Sequence, residues 1–297
     1  MRHVNLEGVI ATAITPFQSN EDIDEQAFVE QIRYFLKAGV DGISVGGSTG
    51  EGAVLTDDEL FRLCELAVRE AGGRVPVVAG VIRNSTRAAV QSALRAKEAG
   101  VDALMVTPVH YPVNKPSDAG NAEFYRRIAE ATNMPVIVYN VVAHNMITPN
   151  TMELLRDVPQ IVAIKQSAGG AGMVARMLAA CGDRILVSSA VDDLLLPTYL
   201  IGARGSIVAP SAVIPELLVE QWRAFKSGDL ETAKKLHDRI HHVFLALQGD
   251  NFQGRIKEAI RLLGRNPGLP RSPVQMPTEA EKAFIRRQLV KAELLKE

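Results

Sequence analysis

The chain has 297 residues, enough for two ordinary domains or for one α/β barrel of about 250 residues with something added. Hydrophobic residues make up 47% and charged residues 23%, which excludes a disordered polymer and allows a substantial core. A net charge of −1, with no stretch that gathers Lys and Arg, argues against nucleic acid as a partner.

The first residues, MRHVNLEGVIATAITPF, are polar where a signal peptide needs a long apolar stretch. No window approaches the roughly 18 apolar residues of a membrane span. The expectation is a cytoplasmic protein with no membrane partner. Short β-branched runs then alternate with longer amphipathic stretches, the pattern of repeated βα units around a parallel sheet. Strands are predicted at 9–14, 42–45, 75–79, 103–106, 136–139, 161–165, 185–188 and 205–208. Eight is the number that closes a (β/α)8 TIM barrel.

Two joins look alike, KAGVDGISVGG at 37–47 and KEAGVDALMVTP at 97–108. In each, Gly39 or Gly100 falls where a helix C-terminus wants a left-handed residue. Thr56 with Glu59 three residues on predicts a capping box, and Ser85 predicts the start of the next helix. A doubly wound open sheet also alternates strand and helix, but its GxGxxG fingerprint is missing after the first strand. The barrel is therefore the preferred architecture.

Beyond the eighth strand only helices follow, at 215–226, 230–247, a stretch to 263, and 278–295, with a break rich in Pro and Gly at 264–277. This predicts a catalytic barrel over 1–226 and a C-terminal helical appendix over 227–297. Cys64 and Cys181 lie in predicted helices, in no metal-ligand spacing, and read as buried small hydrophobes.

In such a barrel the active site gathers at the C-terminal ends of the strands. The run IVAIK ends in Lys165. Desolvation there disfavours the ammonium and makes the free amine available to attack a carbonyl, although an isolated lysine at a strand end more often reaches out to solvent. The preceding strand, PVIVYN, carries Tyr139, a phenol on the adjacent strand that can pass a proton; a tyrosine that merely closes the barrel core is the bland reading. After the second strand comes GGSTGE at 46–51, whose amides, with the hydroxyls of Ser48 and Thr49, form a cradle for a carboxylate or phosphate. No Lys follows its last Gly, so it is no Walker loop, and a plain tight turn is the alternative. The coincidence of all three at one rim gives the functional reading its weight.

With these features the sequence resembles the dihydrodipicolinate synthase and N-acetylneuraminate lyase family of class I aldolases. The likeness runs along nearly the whole chain: TAITPF at 12–17, GGSTGE at 46–51, VTP at 106–108, YN at 139–140, IKQSAG at 164–169 and GARGSIVA at 202–209. It implies that Lys165 forms a Schiff base with pyruvate or a related 2-oxo acid, with Tyr139 as proton relay and Thr49 completing the catalytic set. Gly47, Ser48 and Thr49 would hold the carboxylate. It implies no metal and no organic cofactor, an aldehyde as possible second substrate, and a homotetramer built from dimers.

The departures from the family pattern are specific. Synthases of lysine biosynthesis carry an arginine five residues after the tyrosine, where this chain has His144. They carry a tyrosine pair after the TP of the fourth strand, where this chain has Val109, His110 and Tyr111; either His110 or Tyr111 is a candidate for that relay. Asp192 and Asp193 match an acidic pair that contacts the distal hydroxyls of the sugar acid in the sialic acid lyases, and equally fit a charged helix N-terminus. Those lyases show Tyr-His where this chain has Tyr139 and Asn140.

His237, Asp238, His241 and His242 share one helical stretch without the HExxH pattern and are expected away from the rim, as a solvated face or oligomer contact. Asp250 and Asn251 read as local helix caps. The leading expectation is a Schiff-base lyase or aldolase. Its rivals are a true dihydrodipicolinate synthase, a 2-oxo acid binding protein that has lost turnover, and a phosphate-binding barrel using the GARGS turn.

Overall fold

A computed structural model describes residues 4–296. Eight parallel strands close into a barrel in chain order: β1 Gly8–Thr12, β2 Gly42–Val45, β3 Val77–Val81, β4 Ala103–Val106, β5 Val136–Asn140, β6 Ile161–Gln166, β7 Leu186–Ser189 and β8 Gly205–Ser206. Between them run α1 Glu25–Ala38, α2 Asp57–Ala71, α3 Thr86–Glu98, α4 Asp118–Thr132, α5 Pro149–Leu154, α6 Gly170–Cys181 and α7 Leu195–Leu200. After β8 come α8 Pro210–Val213, α9 Pro215–Ser227, α10 Leu230–Leu247, α11 Phe252–Leu262 and α12 Glu279–Lys291. The predicted (β/α)8 barrel with added C-terminal helices is the observed architecture.

Alternation along each strand sorts the side chains into two shells. Ile10, Val78, Ala103, Met105, Ile137, Tyr139, Ala163 and Ile207 fill the barrel. Residues of opposite parity, such as Val9, Ile43, Val45 and Val77, meet the helices in the outer core with Phe28, Phe35, Leu63 and Tyr125. Local signals behave as the sequence predicts. Thr56 and Glu59 form the capping box of α2, Ser85 caps α3, and Gly39 and Gly100 take φ of 77° and 85° past the helices they end.

Several predicted bounds shift, each for a local reason. The third strand begins at Val77 instead of 75, because Pro76 has no amide proton for the ladder and the Val77 amide is held by Asp102. The first strand stops at Thr12, whose amide turns to the Ser211 hydroxyl. The last strand is cut to Gly205–Ser206, since the Val208 carbonyl accepts the hydroxyls of Thr12 and Ser211. The last helix runs Glu279–Lys291, shorter at both ends than 278–295, with Thr278 as its cap. Cys64 and Cys181 are buried and free.

Candidate active site

The register of β5, β6 and β7 sets Tyr139, Lys165 and Ser188 side by side, and inward parity turns all three into the barrel mouth. Lys165 is only 5% exposed, and its Nζ stands 3.8 Å from the centre of the Tyr139 ring. The Tyr139 hydroxyl donates to Ser48 Oγ at 3.2 Å. One continuous line of contacts therefore joins the amine, the phenol and the GGSTGE turn.

That turn is shaped by close approach. Gly46 sits at φ 68°, and a Cβ on Gly80 of β3 would come within 2.3 Å of the Gly46 carbonyl oxygen. Gly47 and Thr49 are buried and Ser48 is partly exposed at the rim. Glu51 ends the motif at φ 58° with its carboxylate buried against Lys257 at 2.6 Å.

Beside Ser48 opens a cavity of about 280 Å³, lined also by Ile82, Thr107, His110, Val142 and Gln253. His110 and Tyr111 part company here. The Asn84 side-chain oxygen accepts both the His110 and Tyr111 amides at 2.9 Å, which fixes its NH2 toward His110 Nε2, also at 2.9 Å. That nitrogen must accept, so the neutral ring carries its proton on Nδ1, which is buried without a partner. Burial, helped by the charges of His144 and Arg83, holds His110 below the usual histidine range. Tyr111 is 57% exposed and does not line the cavity of its own chain. His144 is exposed on a short turn, tied to the His110 loop through Asn145, whose amide donates to the Val109 carbonyl at 2.9 Å.

Asp192 faces the same mouth. Burial pushes its carboxyl up to about 7, opposed by the Lys165 charge and by a hydrogen bond from the Ala209 amide. Of the histidine stretch, His237 feels the charge of Asp193 after the seventh strand, while His242 bonds to Gln288 of α12. Burial holds His237 of α10 below the usual range against the opposing charges of Asp238 and Asp193, because α10 packs on α7 just beyond the seventh strand. Among the described residues no group of three or more His, Cys, Asp or Glu could hold a metal ion, and no helix is long and apolar enough to cross a membrane.

Sequence reasoning missed two groups of residues. Ser44, Thr107 and Ser188 are buried hydroxyls without partners. Ser188 had a readable signal: it shares inward parity with Lys165 on the next strand. Asn140 and Gln166 brace the site from behind, Asn140 Nδ2 donating to Gln166 Oε1 and to the Ile147 carbonyl, each at 2.9 Å. The YN and KQ pairs thus couple one mouth-facing residue to one that holds loops. Asn251 occupies the first cap position of α11, yet its side chain accepts from the Gln275 amide at 3.1 Å instead of capping locally.

A buried lysine beside a phenol at the mouth of a barrel is an arrangement that suits lyases working through a lysine Schiff base. The sequence profile of the dihydrodipicolinate synthetase family matches residues 5–292, and the chain belongs to that family. A 4-hydroxy-tetrahydrodipicolinate synthase of Methanopyrus kandleri is 36% identical over 98% of both chains. That of Bacillus subtilis is 32% identical over 95% of this chain and 98% of its own. Among solved structures, dihydrodipicolinate synthase from Aquifex aeolicus superposes with a TM-score of 0.90 at 32% identity, covering 98% of this chain and 100% of its own. A prophage protein of the same family from E. coli K12, in complex with pyruvate, gives 0.92 at 27% identity over 98% and 99%. The protein is a class I, Schiff-base lyase of this family.

Proposed function

We propose that Lys165 is the Schiff-base lysine and that its substrate is pyruvate or a close 2-oxo acid. The observation that carries this reading is the line from Lys165 Nζ over the Tyr139 ring to Ser48. The lysine nitrogen adds to the C2 carbonyl, and Tyr139 supplies the proton with which the carbinolamine oxygen leaves as water. The iminium retains a positive charge over the same ring face. It draws electrons from C3, whose proton passes back to the Tyr139 phenolate to give an enamine; the enamine carbon then adds to an aldehyde, whose oxygen takes that proton, or in reverse the C–C bond breaks. Gly47, Ser48 and Thr49 receive the substrate carboxylate, which a turn of exposed amides and hydroxyls suits. Asp192 and His110 face the rest of the substrate, with Tyr111 and His144 at the edge. No metal or organic cofactor enters this scheme.

A second reading is favoured by the names of the relatives: condensation of pyruvate with aspartate semialdehyde. His144 is the residue against it, because an imidazole replaces the guanidinium that would grip the second carboxylate. We further propose a homo-oligomer, supported by Tyr111 and Val113, 57% and 80% exposed on the loop after β4. The test is reduction with borohydride, with and without pyruvate, followed by peptide mapping. Pyruvate-dependent mass on Lys165 is expected; none would overturn the assignment. A panel of aldehydes and 2-keto-3-deoxy acids then separates the two readings.

A further inference from the structure

The carboxylate cradle is held from outside the barrel. Gln253 and Lys257 stand four residues apart on α11, hence on one helix face. Gln253 Nε2 donates to the Ser48 carbonyl at 3.3 Å. Lys257 is fully buried, and its ammonium reaches three oxygens: Glu51 Oε1 at 2.6 Å, the Thr15 carbonyl at 2.7 Å and the Leu269 carbonyl at 2.5 Å. The other Glu51 oxygen accepts the Arg271 amide at 3.0 Å, and Thr15 Oγ1 donates to the Gly50 carbonyl at 2.7 Å. The turn from Ser48 to Glu51 is thus gripped at both ends by one helix and at Gly50 by Thr15 of the loop after β1.

This arrangement is a poor way to gain stability. A buried ion pair is often no better than well-packed apolar residues of the same volume, and a glutamate at φ 58° adds backbone strain. Its geometric effect is definite: every donor of Lys257 is used, so Glu51 has one position, two residues from Thr49 and three from Ser48. The geometry points to Gln253 and Lys257 as positioning residues that set the Ser48–Thr49 turn at the correct distance from Lys165 and so govern affinity for the substrate carboxylate. The inference rests on the Schiff-base reading.

Pyruvate is the probe. The concentration that half-saturates borohydride trapping at Lys165 is measured for the wild type, Gln253→Ala, Lys257→Met and Leu289→Ala, together with each Tm. Leu289 is a buried core residue of α12 outside the hydrogen bonds that hold the turn, so its variant reports loss of stability alone. The expected result is a rise in half-saturation of several-fold for Gln253→Ala and of about tenfold for Lys257→Met, with none for Leu289→Ala despite its lower Tm. If Lys257→Met fails to fold, Gln253→Ala decides, since it removes one hydrogen bond from a partly exposed side chain. Wild-type trapping with half-saturation unchanged in Gln253→Ala and in any folded Lys257→Met overturns this inference alone. No trapping in the wild type overturns the Schiff-base reading, and this inference with it.

Discussion

The Lys165 nitrogen stands 3.8 Å above the centre of the Tyr139 ring, while the hydroxyl of that ring points away to Ser48. The ring and its hydroxyl therefore have separable tasks. Tyr139→Phe keeps the surface beneath the nitrogen and removes the proton carrier. Borohydride trapping of pyruvate should still reach its wild-type end point in this variant, while its rate and kcat both fall by about 10²–10⁴-fold. Trapping at the wild-type rate, or no trapping at long times, would contradict that division.

Asp192 gives a pH prediction with a definite sign. Its carboxyl is pushed up to about 7 in the folded chain, from 3.8, chiefly by burial. Between those values the folded state holds a proton that the unfolded chain has released, so stability falls as pH rises through that window and the loss is complete above it. Asp192→Asn removes the dependence. The variant should match the wild type below pH 4 and exceed it at pH 8 by about 2 kcal/mol, after allowance for partial exposure. Denaturant melts at both pH values check this, and parallel curves would refute it.

Gly80 is expected to accept no side chain. A Cβ there would approach the Gly46 carbonyl oxygen at 2.3 Å, and both partners are backbone. Gly80→Ala should cost about 1–3 kcal/mol and raise the pyruvate concentration needed for trapping, because the strain falls on the turn that carries Ser48. An alanine variant with wild-type Tm and wild-type trapping would show that the strand shifts freely.

His144 tests the choice of second substrate. Replacing it with arginine restores a fixed cation on the exposed turn beside His110, and kcat/KM for aspartate semialdehyde should rise about tenfold, as expected for one charge-assisted hydrogen bond. No gain with that aldehyde, while another substrate is turned over well, favours the broader lyase reading.

The cysteines should be silent. Burial pushes the Cys64 thiol up to about 12 and that of Cys181 up to about 11, so neither supplies thiolate at pH 8. Iodoacetamide is expected to label the unfolded chain and not the native one, as intact mass would report.

What the sequence revealed follows the range of each interaction. Lys165, Tyr139 and the GGSTGE turn are legible because strand ends, parity and short glycine motifs are local. Pro76 moved the third strand by two residues through a missing amide proton, also a local effect that the apolar pattern alone hides. The grip of Lys257 on Glu51 spans 206 residues and has no local signature, since a lysine amid apolar residues of an amphipathic helix reads as ordinary. His237 escaped for the same reason: only the packing of α10 on α7 brings it toward Asp193.

The cylinder is unevenly joined. Strands β5 and β6 are matched at five residue pairs, whereas β7 and β8 share one, and a Cβ on Gly205 would lie 2.1 Å from the Gly8 carbonyl oxygen where the last strand meets the first. That seam is finished by hydroxyl bonds among Thr12, Val208 and Ser211. Amide exchange should therefore begin along it, on the side where Asp192 and Ala209 stand. Lys165 and Tyr139 stand in the stiff wall and Asp192 beside the pliant one, so whatever Asp192 meets can drift without disturbing the pair at the centre.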